Sequence, residues 1–336
     1  MNSIAVLILS LGIILLGAEV FVNGVEWLGK KLNLSEGAVG SVLAAVGTAL
    51  PETIIPIIAI VFGQGRQGHE IGIGAILGAP LMLSTLAMFV TGMAVVFFSR
   101  KRRQGMKVNV DVSSMSRDLG FFIIVFAAAI ITGTLPPELR HWQLTIAGFM
   151  IFSYCWYVYV MISEERDLES EHELPRCYFA RKGKSPLLIN VIFQVLFALF
   201  LIVFGADLFV SAVKEIAVLY SIPAFVLALI ITPIATELPE KFNSVIWISR
   251  EKDSLALGNI TGAMVFQSSL IPALGILLTD WQLTGGAFIS AILALTSAGL
   301  LYIELQRKQH ITAYALLLSG VFYVVFLVGV FEGVIR

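Results

Sequence analysis

Two glutamates stand where an apolar sequence has least use for them. Glu52 closes the element Thr48-Ala49-Leu50-Pro51-Glu52, and Glu240 closes Thr236-Glu237-Leu238-Pro239-Glu240, 188 residues further on. Each lies well inside a long apolar run, where an ionisable side chain costs about 3 kcal/mol on insertion scales and needs a partner, water or an ion. Each also follows a proline, which has no backbone N–H, so carbonyl oxygens a turn upstream near Thr48 and Thr236 are released from helical pairing. Two carboxylates with freed carbonyls form an oxygen cage of about two negative charges, the ligand set that a hard divalent cation such as Ca²⁺ takes. A lone mid-membrane glutamate serves equally well as a hydrogen-bonding residue between helices. A symmetric pair in matching surroundings favours the cage.

The elements that must hold these residues are set by composition. Of 336 residues 58% are hydrophobic and 13% charged, about half the charged fraction of a soluble domain. Ten apolar runs recur near the roughly 20 residues that a helix needs to cross a bilayer. They cover 3–27, 36–62, 71–98, 120–135, 142–162, 187–213, 222–248, 254–278, 284–305 and 311–334. The expected fold is an all-α membrane protein with about ten transmembrane helices. A net charge of −1 gives no pull toward nucleic acid; the partners expected are transported cations and membrane lipid.

Counting connections alternately, one side of the membrane collects Lys30, Lys31, Arg100, Lys101, Arg102, Arg103, Lys107, Arg117, Arg166, Arg176, Arg181, Lys182, Lys184, Arg250, Lys252, Arg307 and Lys308. The other collects Arg66, Arg140, Lys214 and Arg336. The rich side is expected in the cytoplasm, which puts both termini outside a multi-pass plasma-membrane protein. Residues 1–6 carry no Lys or Arg, so the first run reads as a permanent span rather than a cleaved signal.

The chain also repeats itself. Gly17-Ala18-Glu19-Val20-Phe21-Val22 returns as Gly205-Ala206-Asp207-Leu208-Phe209-Val210 at the same displacement of 188, and Gly74-Ala75-Ile76-Leu77-Gly78-Ala79 returns as Gly258-Asn259-Ile260-Thr261-Gly262-Ala263 at 184. Two copies of an odd, five-span unit must insert in opposite senses, which is the inverted-repeat plan of secondary transporters. The repeats are placed at 1–163 and 187–336, with a cytoplasmic linker at 164–186. The Gly74/Gly78 and Gly258/Gly262 pairs are read as close-packing helix faces, set against the glutamate-bearing spans. Glu19 and Asp207 are read as capping or interfacial residues near the ends of their spans. Cys155 and Cys177 are expected to be free, and His69, His141, His172 and His310 to fall in connections, so no intramembrane His–Glu metal site and no cofactor are expected.

On the Gly-Ala-acidic openings at Gly17 and Gly205, the Gly47-Thr48-Ala49-Leu50-Pro51-Glu52 element and its counterpart Ala235-Thr236-Glu237-Leu238-Pro239-Glu240, the chain resembles the cation/calcium antiporter superfamily, which includes sodium/calcium and proton/calcium exchangers. The resemblance implies a central site in which Glu52 and Glu240 bind the cation, helped by the carbonyls of Thr48 and Thr236. The family's serine after each threonine is here Ala49 and Glu237. Its Gly-Ser-Asn or Gly-Ser-Asp element is here Gly78-Ala79-Pro80 and Gly262-Ala263-Met264. These changes remove side-chain oxygens that would ligate Na⁺. Gln267, Ser268 and Ser269, with Ser84 and Thr85 in the first half, could replace some of them. Lys241 is a further departure, either paired with Glu237 at i, i+4 or reaching the cage as a built-in monovalent cation.

The expected activity is outward antiport of Ca²⁺ or a related divalent cation against H⁺ or Na⁺, with a related carrier of another cation, or a non-transporting homologue, as the alternative. An intramembrane hydrolase would need an Asp dyad, a Ser–base pair or histidines within spans, and the sequence has none of these arrangements. Inverted repeats around enclosed carboxylates also suit alternating access better than a channel. The chain is therefore not read as an enzyme.

Overall fold

The computed structural model describes residues 3–31, 50–63, 65–165, 176–179 and 186–335. These are almost wholly helical: α1 Ser3–Lys31, α2 Leu50–Val61, α3 Gly65–Met82, a π turn Leu83–Ala87, α4 Met88–Phe98, α5 Val112–Thr132, α6 Arg140–Glu165, α7 Leu188–Tyr220, α8 Ala224–Ser249, α9 Asp253–Leu278, α10 Gly285–Lys308 and α11 Ala313–Phe331. A two-residue strand pair, β1 Lys107–Val108 against β2 Ile311–Thr312, is antiparallel. Among the described residues, eight helical stretches are long and apolar enough to cross a membrane, and Pro51–Val61 and Ala224–Ile234 are shorter apolar helices. The all-α membrane fold is as expected.

Boundaries moved where polar residues belong to a helix rather than to its border. The fourth span begins at Val112, eight residues before the apolar run, because Asp111 caps it by accepting from the backbone N–H groups of Ser113 and Ser114. That extension carries Asp118 into the helix. The sixth span runs on through Lys214 and Glu215 to Tyr220 and stops at Ser221, whose φ of 54° is left-handed. Thr284 and Thr312 cap α10 and α11 by accepting from the N–H groups of Ala287 and Ala315. His69 lies inside α3 and His141 at the start of α6, not in connections.

Pro80 removes one N–H from α3, and three residues later the helix widens into the π turn. A donor from outside its ladder accompanies the irregularity: Ser297 Oγ on α10 donates to the carbonyl of Ser84 at 2.6 Å.

The helices gather into two compact units that cut across the sequence repeats, one formed by residues 1–68 and 155–221, the other by 69–154 and 222–336. In the first, α1 packs along α7 and α2 also packs on α7. Phe21, Val25, Ala198 and Ile202 form a buried cluster there. Residues 176–179 are moored to the same helix pair. Asn23 Nδ2 donates to the carbonyl of Arg176, the N–H of Tyr178 donates to Asn23 Oδ1, and the N–H of Phe179 donates to Gln194 Oε1. Gln194 Nε2 in turn donates to Asn23 Oδ1 and to the carbonyl of Val20. Asn23, Cys177 and Gln194 are all buried, so these bonds satisfy groups that water cannot reach. Cys155 and Cys177 are both free thiols.

Glu19 sits twelve residues before the end of α1 and Asp207 thirteen before the end of α7, both exposed on their helices. They are mid-helix residues, not the near-terminal ones expected, because the helices continue past the first charged side chains. Glu19 accepts a 2.7 Å hydrogen bond from the hydroxyl of Tyr178.

In the second unit, one end is tied by Arg102. Its five N–H groups reach Gly105 O, Ile248 O, Lys107 O and both carboxylate oxygens of Asp253, the last two at 2.7 Å. Both side chains are almost fully buried. Asp253 also accepts from the N–H of Asn109, so the connection before α5, the strand pair and the start of α9 are held by one ion pair.

Candidate cation site

Thr236 and Glu237 lie on α8, Gln267 and Ser268 on α9, all in the second unit and all buried. Proline chemistry shapes both helices. Pro233 has no N–H for the carbonyl of Leu229, and that oxygen lies instead against Gly78 of α3, where a side chain would have no room. Gly74 meets the carbonyl of Phe225 in the same way. The Gly74/Gly78 face therefore packs against the span that carries position 240, as expected. Gly258 and Gly262 make no such approach among the described residues. On α9, Pro272 likewise leaves the carbonyl of Ser268 without its helical donor.

The side chains add oxygens to these. Thr236 Oγ1 donates to the carbonyl of Thr232 at 3.1 Å, and Gln267 Nε2 donates to Glu237 Oε1 at 3.3 Å. A carboxylate only accepts, so the amide must turn its NH₂ end to Glu237. That leaves Gln267 Oε1 buried, and neither it nor Thr232 Oγ1 has a hydrogen-bond partner among the described residues. Buried oxygens without donors are costly unless something positive reaches them. Ser268 and Ser269 donate back to the carbonyl of Val265, at 3.1 and 2.6 Å, which leaves their lone pairs able to accept. Ser84 donates to the carbonyl of Pro80 and Thr85 to that of Leu81, so both hydroxyls are engaged within their own helix.

Of the other residues singled out by sequence, Glu52 is buried at 5% exposure in the first turn of α2 and belongs to the first unit. Thr48 lies outside the described residues, as do the side chains of Glu240 and Lys241, whose backbone continues α8. The structure thus brings Glu237 and Gln267 together. Sequence reasoning missed Thr232; the signal was the Thr-Pro step at 232–233. Among the described residues no three His, Cys, Asp or Glu side chains gather as a metal cluster. The described residues thus offer here a buried carboxylate, Glu237, with the Gln267 amide beside it, and the hydroxyl oxygen of Thr232 on the same helix as Glu237.

Comparison with known proteins bears on what such a site serves. Over 334 residues the chain is 25% identical to the putative antiporter CaxA of Alkalimonas amylolytica, covering 95% of this chain and 97% of that one. It is also 25% identical to the sodium/calcium exchanger MaX1 of Methanosarcina acetivorans, covering 98% and 99%. Among solved structures it shares the fold of the H⁺/Ca²⁺ exchanger CAX, with a TM-score of 0.71 at 17% identity over 98% of this chain and 82% of that one. It also shares the fold of the sodium-calcium exchanger NCX_Mj, with a TM-score of 0.57 at 18% identity over 98% of both. The model of the family described as sodium/calcium exchanger protein matches residues 2–163 and 190–332. With nearly the whole chain matched on either side of the connection that follows α6, this protein belongs to the sodium/calcium exchanger protein family.

Proposed function

We propose that this chain is a secondary-active antiporter that exports Ca²⁺ or a related divalent cation in exchange for protons, by alternating access around Glu52 and Glu240. The observation that carries the reading is the buried Glu237–Gln267 pair. It puts a third carboxylate three residues before Glu240, where the family resemblance leads one to expect a serine. Glu237 adds to the two repeat-related glutamates a further carboxylate, a group that can take a proton when the divalent ion leaves. Thr236 and Thr48 contribute backbone oxygens, and Lys241 either pairs with Glu237 or neutralises the emptied site. Both termini lie outside, with the basic connections in the cytoplasm.

A Na⁺-driven reading is favoured by one observation, the unpartnered oxygens of Gln267 and Thr232, which could complete a monovalent-ion shell. The test is Ca²⁺ uptake into vesicles under a pH gradient with all Na⁺ replaced by choline, beside the same vesicles under a Na⁺ gradient at uniform pH. Uptake in the first condition is expected. Uptake in the second alone would establish Na⁺ coupling and overturn the proton reading.

A further inference from the structure

One buried carboxylate of the second unit is not used by the site above. Asp118 on α5 is 6% exposed, and its Oδ2 accepts a 2.7 Å hydrogen bond from Oγ1 of Thr261, which is fully buried on α9. Thr261 precedes Gln267 by six residues, about 9 Å along the helix axis. Asp118 therefore stands between the start of α9 and the Glu237–Gln267 pair, at a depth where a carboxylate is tolerated only for a reason.

Resting on the proton-coupled reading, we propose that Asp118 is the proton-release residue on the cytoplasmic side of the site. A proton carried inward by the site is passed on by water, forms an O–H bond on Asp118, and is then given up to cytoplasmic water. Each step breaks one O–H bond and makes another, so no further reactant is needed. The hydroxyl of Thr261 donates to Asp118 Oδ2 and fixes the carboxylate against α9.

The charged surroundings are compatible with this role. On α5 itself Arg117 adjoins Asp118. Asp253 is the one charged residue of α9, and both its oxygens are held by Arg102. On α10, which also packs on α5, Tyr302 lies beside Gly120. Glu304 there is occupied by Lys308 and by the hydroxyl of Thr312, and Arg307 follows in the last turn.

The experiment uses full-length protein in inside-out vesicles, so that the cytoplasmic pH is the bath pH, and follows Ca²⁺ flux for wild type, Asp118→Asn and Thr261→Val. Asp118→Asn is expected to flatten the dependence on bath pH and to slow exchange about tenfold where wild type is fastest, with Ca²⁺ protection against thermal unfolding retained. Thr261→Val, nearly isosteric, is expected to move the midpoint, because Asp118 loses its hydrogen-bond donor. A wild-type profile in Asp118→Asn, or rates lowered by one common factor at every pH in both variants, would mean that the pair only pins α5 to α9. If Asp118→Asn fails to accumulate, an unchanged midpoint in Thr261→Val overturns the proposal alone. Wild-type vesicles without pH-driven flux would instead overturn the proton-coupled reading on which it rests.

Discussion

Gly17 of α1 bears on Ile202 of α7, and 188 residues later the relation is returned, Gly205 bearing on Ile14. A Cβ on either glycine would stand 2.8 Å from the Cγ1 of the facing isoleucine, with backbone atoms of the other helix at 3.2 Å. Since 14 and 202 are also 188 apart, one contact is made twice about a local pseudo-twofold. The repeated Gly-Ala-acidic opening thus serves close approach of the two helices, with the glycine as its working residue.

Gly17→Ala and Gly205→Ala should therefore each lower stability by a similar amount, about 1–3 kcal/mol for overpacking. Thermal unfolding in detergent checks this. Replacing the facing isoleucine with Ala, which removes that Cγ1, should relieve the overpacking, whereas unequal losses at the two glycines would show that the contacts are not equivalent.

Glu52→Gln and Glu240→Gln should each abolish divalent transport and leave the protein folded, since each removes charge at constant shape. Thr48→Ala and Thr236→Ala should cost less, because the oxygens invoked there are backbone atoms. Flux in proteoliposomes together with size-exclusion behaviour measures both properties. Undiminished transport by either glutamine variant would remove the central site.

Arg102→Lys should be nearly as damaging as Arg102→Ala, although it keeps the charge. A lysine cannot supply the fork that meets both oxygens of Asp253 and three carbonyls. Breaking a buried ion pair from one side costs about 3–5 kcal/mol, and folded yield or unfolding temperature reports it.

Asp111 supplies the pH dependence outside the bilayer. The hydroxyl of Ser114, then its N–H, hold this carboxyl below the usual carboxylate range. A lowered folded pKa gives stability that is complete above about pH 3.9, the ordinary value, and is lost as pH falls through the lowered one. Amide exchange at 112–116 should accelerate only in that acid window, and Asp111→Asn, which keeps a neutral acceptor, should remove the acid dependence.

The spans and the repeat were legible because apolar length and recurring motifs survive in one dimension. Pairings between distant polar residues do not. Asp118 was hidden because the fourth span was drawn from Gly120, and a Ser-rich stretch before it reads as a loop until Asp111 is recognised as its cap. Gln267 was legible as a polar residue near the site, but its bond to Glu237 needed coordinates. The two compact units were invisible because packing joins the opening helix of one repeat to that of the other.

That joining sets an order in time. The groove that receives residues 176–179 needs Asn23 from α1 and Gln194 from α7, and 156 residues separate Lys31 from Leu188. At about 5–20 residues per second of synthesis, α1 waits roughly 8–30 s in the membrane before its partner exists. During that interval Gly17 faces lipid or whatever else is at hand, and Asn23 has no partner from the second half. Assembly of the first unit is thus a late event in biogenesis, completed only when the second repeat arrives to shelter α1.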